Sequence, residues 1–242
     1  RGNILSKELQ PGSTVKPLTY PTALMSGYTP AMFSDRDYTI NTEEGVSIPI
    51  LSLGRREAGD IRQAFADSTN KAFAQIARAY QPELARIWEN AGVYSHVTFP
   101  TPPDIIALGV NPLSAIANSQ TASAMGTGGV LPLQIVSKIM ADGNTMYESK
   151  TGKLKTVISK QASDQLIDVL PREGHLLYKT GTTDHSSGAN NAIGNTATLV
   201  FDQKTGRTMS IFTYRREDKP ISLKEYEKYV SLTPALAIMK NI

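Results

Sequence analysis

The eight residues Gln10-Pro11-Gly12-Ser13-Thr14-Val15-Lys16-Pro17 constrain the fold of this chain more than any other stretch. A Pro-Gly turn runs straight into an apolar, helix-compatible segment, so the chain must reverse and enter a helix within a few residues. If Ser13 opens that helix, Lys16 lies one turn further along and shares its face. A serine hydroxyl is a weak nucleophile until a base takes its proton, and a neutral amine at that spacing is such a base. The helix start adds unpaired backbone N–H groups and a positive dipole end, both suited to the oxyanion that forms when Ser13 attacks a carbonyl.

Ser-x-x-Lys is a weak signal by itself. Ser68 and Lys71 repeat it, and an N-cap serine followed by a solvated lysine explains any single copy. Two further motifs change the weight. Ser68-Thr69-Asn70 is the only Ser-x-Asn in the chain and falls where one short helix ends and another begins. Ser68 is either the N-cap of the second helix or, with Asn70, part of a cleft lip whose hydroxyl and amide relay a proton and hold a substrate amide. Lys-Thr-Gly occurs at Lys150, Lys179 and Lys204. The first and last lie in polar connections between strand-like runs, where Gly152 and Gly206 suit a hairpin turn. Lys179-Thr180-Gly181-Thr182-Thr183 instead closes an apolar run, as expected of a strand edge lining a cleft. There Gly181 lets a substrate backbone come close, and Lys179 and Thr180 are placed to hold a carboxylate.

Composition narrows the class. The 242 residues suffice for one sizeable domain or two small ones, and 40% hydrophobic with 19% charged residues is ordinary for a globular protein. The net charge of +3 comes without a Lys/Arg cluster interleaved with aromatics, which gives no support for nucleic-acid binding. With no cysteine and with His96, His175 and His185 scattered, no metal or other cofactor is implied. No apolar run approaches the roughly 18 residues a membrane-spanning helix needs, and no signal-peptide pattern opens the chain.

Periodicity predicts a helix over 13–26, which Pro21 should kink or shorten, followed by a polar stretch with short strands near Tyr38–Ile40 and Val46–Ile48. Helices are expected at Asp60–Phe65, from Thr69, at Pro82–Asn90, at Leu131–Met140 and at Ser163–Leu170, with Leu84, Ile87 and Trp88 in the core. Thr145–Glu148 and Leu154–Ile158 read as two strands around a turn at 149–152. The last third reads as adjacent antiparallel strands at His175–Tyr178, Thr196–Phe201 and Thr208–Tyr214, covered by a C-terminal helix over Leu223–Met239 broken near Pro234.

With these motifs in order, the chain resembles the transpeptidase domain of high-molecular-mass penicillin-binding proteins over nearly its whole length, as a single domain 1–242. Ala72-Phe73-Ala74-Gln75-Ile76-Ala77 and Leu131-Pro132-Leu133-Gln134-Ile135 add to the likeness. The resemblance implies an α+β fold, an antiparallel sheet flanked by helices with a helical subdomain, and a site in the cleft between them. It makes Ser13 the acylated nucleophile, Lys16 its base and Ser68 a proton relay. Asn70, Lys179, Thr180, Gly181 and Thr182 become substrate-binding residues, with the N–H groups of Ser13 and Thr182 as the oxyanion hole. The implied reaction is D,D-transpeptidation of peptidoglycan stem peptides, inhibited by β-lactams, on the extracytoplasmic face of a bacterial membrane, alongside other cell-wall synthesis proteins.

The resemblance also sets expectations where this sequence departs from it. Only twelve residues precede Ser13, so the first strands of the sheet, and any anchor, are expected upstream of Arg1 or in a partner segment. Asp184–Asn195 is a polar Gly/Ser/Asn-rich insertion where the family has a short connection. A D,D-carboxypeptidase or β-lactamase-type hydrolase is the alternative enzyme, although no glutamate motif for a deacylating water is recognisable. A sensor or scaffold that binds peptidoglycan or β-lactam without turnover is the alternative outside enzymes.

Overall fold

The structure, a computed structural model, describes residues 8–27, 38–41, 45, 47–50, 61–93, 103–130, 138–148, 153–184, 194–215 and 228–241. Strands β1 (Glu8–Leu9), β2 (Tyr38–Asn41) and β3 (Ser47–Ile50) are short, and the first helix, α1, spans Lys16–Met25. Next come α2 (Ile61–Ala66), α3 (Lys71–Ala79), α4 (Gln81–Asn90) and α5 (Pro103–Ile106). Strand β4 (Leu113–Ser114) leads into α6 (Ala115–Thr127) and β5 (Gly129–Val130), and β6 (Lys138–Ala141) into β7 (Asn144–Glu148) and β8 (Lys155–Thr156). Helix α7 (Lys160–Val169) precedes β9 (Arg172–Glu173), β10 (Leu176–Asp184), β11 (Gly194–Asp202) and β12 (Thr208–Arg215), and α8 (Thr233–Lys240) closes the chain. The mixture of helices and antiparallel sheets is the expected α+β class.

The largest sheet has the order β12-β11-β10-β9, all antiparallel. Its pleat separates two cores. Leu177 and Leu199 face the helices, joining Val15, Leu18, Phe65, Phe73, Leu84, Ile87 and Trp88. Leu176 and Val200 face the other way, onto Ala235, Leu236 and Met239 of α8. Helix α6 lies against β11 because its inner face is small: a Cβ on Gly126 would stand 2.1 Å from the Phe201 ring. Among the described residues, β9 pairs with β10 only at Leu176 and Leu177, and no other strand pairs along that edge.

Several sequence expectations shift. Pro21 does not end α1, which runs on to Met25. Helix α7 begins at Lys160, not Ser163, because Ser159 Oγ caps it by accepting from Ala162 N at 3.2 Å. The C-terminal segment does change at the proline: a π-helical turn at Lys228–Leu232 gives way to α8 with Pro234 in its first turn, while 223–227 lie outside the described residues. The expected helix Leu131–Met140 is overturned in its described part, where Lys138–Ala141 is a strand paired with Asn144–Glu148. The turn between them is Asp142-Gly143, both with positive φ (50° and 77°), the geometry of a two-residue hairpin. Accordingly 145–148 does not pair with 154–158; Lys155–Thr156 pairs with β5. The turn expected at 149–152, with its Lys150 triplet, lies outside the described residues, as does most of the 184–195 insertion. The Lys204 triplet is the turn it was read as, with Asp202 Oδ1 accepting from Lys204 N at 2.8 Å and Gly206 at φ 71°.

These packings predict unequal mutational costs. Trp88→Ala, at a wholly buried position, should lose about 3–5 kcal/mol in urea denaturation. Met146→Ser, at a position 69% exposed, should stay within about 0.5 kcal/mol. Equal losses would mean that the 138–148 hairpin belongs to the core.

Candidate active site

Ser13 lies in a single 3-10 turn, Gly12–Val15, that passes directly into α1 at Lys16. At three residues per turn, positions 13 and 16 eclipse, which keeps both on the cleft side. Pro17 fits the first turn of α1, where its missing N–H is unneeded. Pro11, Gly12, Thr14 and Val15 are buried while Ser13 is partly exposed, so the turn presents one hydroxyl. Thr14 anchors it from below: its Oγ1 lies 3.0 Å from Pro11 O and 3.0 Å from Asn118 Oδ1 of α6, and Asn118 Nδ2 donates to Ser210 Oγ of β12 at 2.8 Å.

Lys16 has no exposed surface. Its Nζ donates to Ser68 O (2.8 Å), Thr69 O (2.8 Å) and Asn70 Oδ1 (2.9 Å), with Ser68 Oγ further off at 3.5 Å. Those acceptors come from the connection between α2 and α3, which brings the Ser-x-Asn motif to the head of α1. Ser68 itself has φ 54°, a left-handed conformation that costs a serine on the order of 1 kcal/mol or more. Lys16 holds it there by binding the two successive carbonyls. Ser68 is not the N-cap of α3: Asn70 occupies that position, with no side-chain cap bond, and spends its Oδ1 on Lys16.

Lys179, only 2% exposed, comes from β10 and donates to Ser68 Oγ at 2.9 Å and to its neighbour's carbonyl, Thr180 O, at 2.7 Å. Ser68 Oγ therefore stands between two lysine amines. Burial, and secondarily the charge of Lys179, pull the Lys16 pKa well below the ordinary lysine range. A neutral Lys16 amine keeps two N–H bonds to its carbonyl and amide acceptors and frees a lone pair for a hydroxyl proton.

The edge of β10 touches the Ser13 turn backbone to backbone. A Cβ on Gly181 would stand 2.2 Å from Pro11 O and 2.9 Å from both Ser13 N and Thr14 N, so only glycine permits the contact. Reciprocally, a Cβ on Gly12 would meet Thr182 N at 2.9 Å. The N–H groups of Ser13 and Thr182 are thus neighbours. Behind the turn, Gly12 N donates to Gly109 O at 3.1 Å, and a Cβ on Gly109 would lie 2.0 Å from Gly12 O. Along the strand, Lys179 and Gly181 share the pleat face toward Ser68 and Ser13, while Thr180 and Thr182 share the other. Sequence reading passes over Gly109 and Asn118, which carry no motif, and gives Phe73 no role at the site, although its ring centroid lies 5.1 Å from Lys16 Nζ.

Three motifs far apart in sequence therefore meet around one partly exposed serine. Residues 1–219 match the sequence model of the penicillin binding protein transpeptidase domain. The chain belongs to that family. Its fold is similar to PBPA from Mycobacterium tuberculosis, at TM-score 0.72 and 19% identity over 96% of this chain and 63% of that one. The penicillin G acyl-enzyme complex of penicillin-binding protein A from M. tuberculosis superposes at TM-score 0.73 and 19% identity, covering 96% of this chain and 62% of that one. The D,D-transpeptidase domain of a peptidoglycan glycosyltransferase from Eggerthella lenta gives 0.72 and 17%, over 99% of this chain and 68% of that one. The chain thus spans about three fifths of the PBPA structures. No curated protein sequence matches it.

The contact at Gly181 yields a prediction for this penicillin-binding transpeptidase domain. Gly181→Ala should force β10 off the Ser13 turn and slow labelling by a fluorescent penicillin on the order of 100-fold, with far-UV circular dichroism unchanged. Unaltered labelling would show that this contact does not position the site.

Proposed function

We propose that this chain carries a serine D,D-transpeptidase site that cross-links peptidoglycan stem peptides and is acylated by β-lactams. The observation that carries the reading is the Lys16–Ser68–Lys179 cluster beside Ser13, with Ser68 Oγ 2.9 Å from Lys179 Nζ and 3.5 Å from Lys16 Nζ.

In this mechanism the neutral Lys16 amine takes the Ser13 proton as Oγ attacks the carbonyl of the D-Ala-D-Ala peptide bond. The oxyanion is held by the N–H groups of Ser13 and Thr182, which the close contact at Gly12 and Gly181 brings together. Ser68 passes a proton to the leaving amine and Lys16 restores it, so the C–N bond breaks and D-Ala departs neutral overall. Asn70 holds a substrate amide, and the charge of Lys179 draws the terminal carboxylate to the β10 edge, to which Thr180 and Thr182 contribute backbone from the opposite pleat face. The ester on Ser13 is then attacked by an amine of a neighbouring stem peptide, which forms the new amide and returns the proton to Ser13. A β-lactam enters by the same attack, its ring C–N bond opening instead. We place the reaction on the extracytoplasmic face of a bacterial membrane, where that polymer is built.

Intact mass after penicillin treatment should show one adduct, absent in Ser13→Ala. With a stem-peptide donor, D-Ala should be released, and adding an amine acceptor should divert acyl-enzyme into cross-linked product. Release without cross-linking, or rapid loss of the penicillin adduct, would point to a hydrolase. Because only neutral Lys16 can accept the proton, acylation should rise with pH along a limb set by its lowered pKa, a limb reached at lower pH than an ordinary lysine allows. Lys179→Met, by removing the neighbouring cation, should move that limb to higher pH.

A further inference from the structure

We infer that Phe73 is a positioning residue for Lys16, its ring face carrying the lysine cation and opposing the loss of its proton; this rests on Lys16 acting as the base. The ring centroid is 5.1 Å from Lys16 Nζ, within the range at which an ammonium is attracted to the negative face of an aromatic ring. Both partners are fully buried, so water does not weaken the attraction.

The ring is fixed. Phe73 sits on the buried face of α3 and packs edge-on against Phe65, with centroids 4.9 Å apart and planes at 70°; Phe65 in turn meets Tyr20 of α1 at 5.7 Å and 80°. This line of three rings runs from α1 through α2 to α3 and ends under Nζ. From the α2–α3 connection the same nitrogen meets Ser68 O, Thr69 O and Asn70 Oδ1, none of which ionises. From β10 the charge that acts on it is that of Lys179. Tyr20 contributes no charge, since burial pushes its pKa up to about 12.

Two sets of forces therefore oppose each other at one atom. Burial and Lys179 favour the neutral amine, while three acceptors and the Phe73 ring favour the ammonium. The acceptors are used by either form, because an amine also donates two hydrogen bonds. The ring distinguishes the forms most sharply: its quadrupole attracts a cation and offers a neutral amine little. It resists too easy a loss of the proton and gives Lys16 a proton affinity that lets it return the proton later in the cycle.

The test weakens the quadrupole without changing the packing. Mono-, di- and trifluorinated phenylalanine placed at position 73 keep the ring's shape and drain its face stepwise. The Lys16 titration is read directly in the full chain by NMR of carbon-13-labelled lysine Cε, and functionally from the acid limb of penicillin acylation. Both midpoints should fall with each fluorine, by about half to one pH unit for the trifluoro ring, so that acylation on the acid limb accelerates. A Lys16 midpoint that stays put across the series overturns the inference, whatever the activity. If the midpoint falls while Ser13 takes no adduct in any form, the ring acts as inferred and the catalytic reading is what fails. Phe73→Leu, which removes the ring altogether, should displace the midpoint in the same direction.

Discussion

A lysine amine sealed from water at the head of α1 dictates the arrangement around it. An ammonium in a low-dielectric interior is tolerated only if its protons are all received, and Lys16 exposes no surface to bulk solvent. The α2–α3 connection supplies the acceptors by turning two successive carbonyls and one side-chain amide toward a single point. That demand explains the left-handed Ser68: only a reversal of the backbone there lets Ser68 O and Thr69 O converge. The strained serine is then free of capping duty and turns its Oγ to Lys179. The placement of the Lys16 amine, the Ser68 hydroxyl and the Lys179 amine thus follows from one desolvation problem.

A second constraint is backbone proximity. Setting the backbone N–H groups of Ser13 and Thr182 side by side requires two chain segments closer than side chains normally allow, and the chain meets this with glycines on both sides of the seam. Gly12 faces Thr182, Gly181 faces Pro11 and Ser13, and Gly109 backs Gly12. Thr14 and Asn118 then tie the turn to α6 and, through Ser210, to the far strand β12. The four-stranded sheet acts as a rigid bar that presents the Gly181 edge to the Ser13 turn.

The legibility of the sequence followed the range of each interaction. Local patterns read well: the apolar faces of α2, α3 and α4 and the strands around Leu176, Thr196 and Thr208 lie where periodicity put them, since each records its own burial. Motif residues were legible as a set because their chemistry restricts residue type. What failed was competition between two local signals over Leu131–Met140, where helical periodicity outweighed the Asp142-Gly143 turn just after it, although an Asp-Gly pair is the stronger hairpin cue. What was invisible depends on contacts far apart in sequence. The 104-residue separation of Thr14 from Asn118 leaves no local trace, and Phe73 reads as core from its spacing because nothing in α3 reveals that a cation lies over its ring.

The contrast between fold and site explains how so distant a sequence retains this architecture. At 19% identity the chain superposes on PBPA at TM-score 0.72, so most of its core is built from residues of different identity. A core of Leu, Ile, Ala and aromatic side chains accommodates volume-conserving exchange at modest cost, since neighbours can repack. The seam between the Ser13 turn and β10 has no such freedom. A single methyl group at Gly181 or Gly109 would press on backbone atoms at 2.2 Å or 2.0 Å, and backbone yields only by moving the strand or the turn itself. Tolerance in this domain therefore grows with distance from main-chain contact rather than with burial: Leu84 and Gly109 are both buried, but only the glycine is fixed by what its missing side chain makes room for.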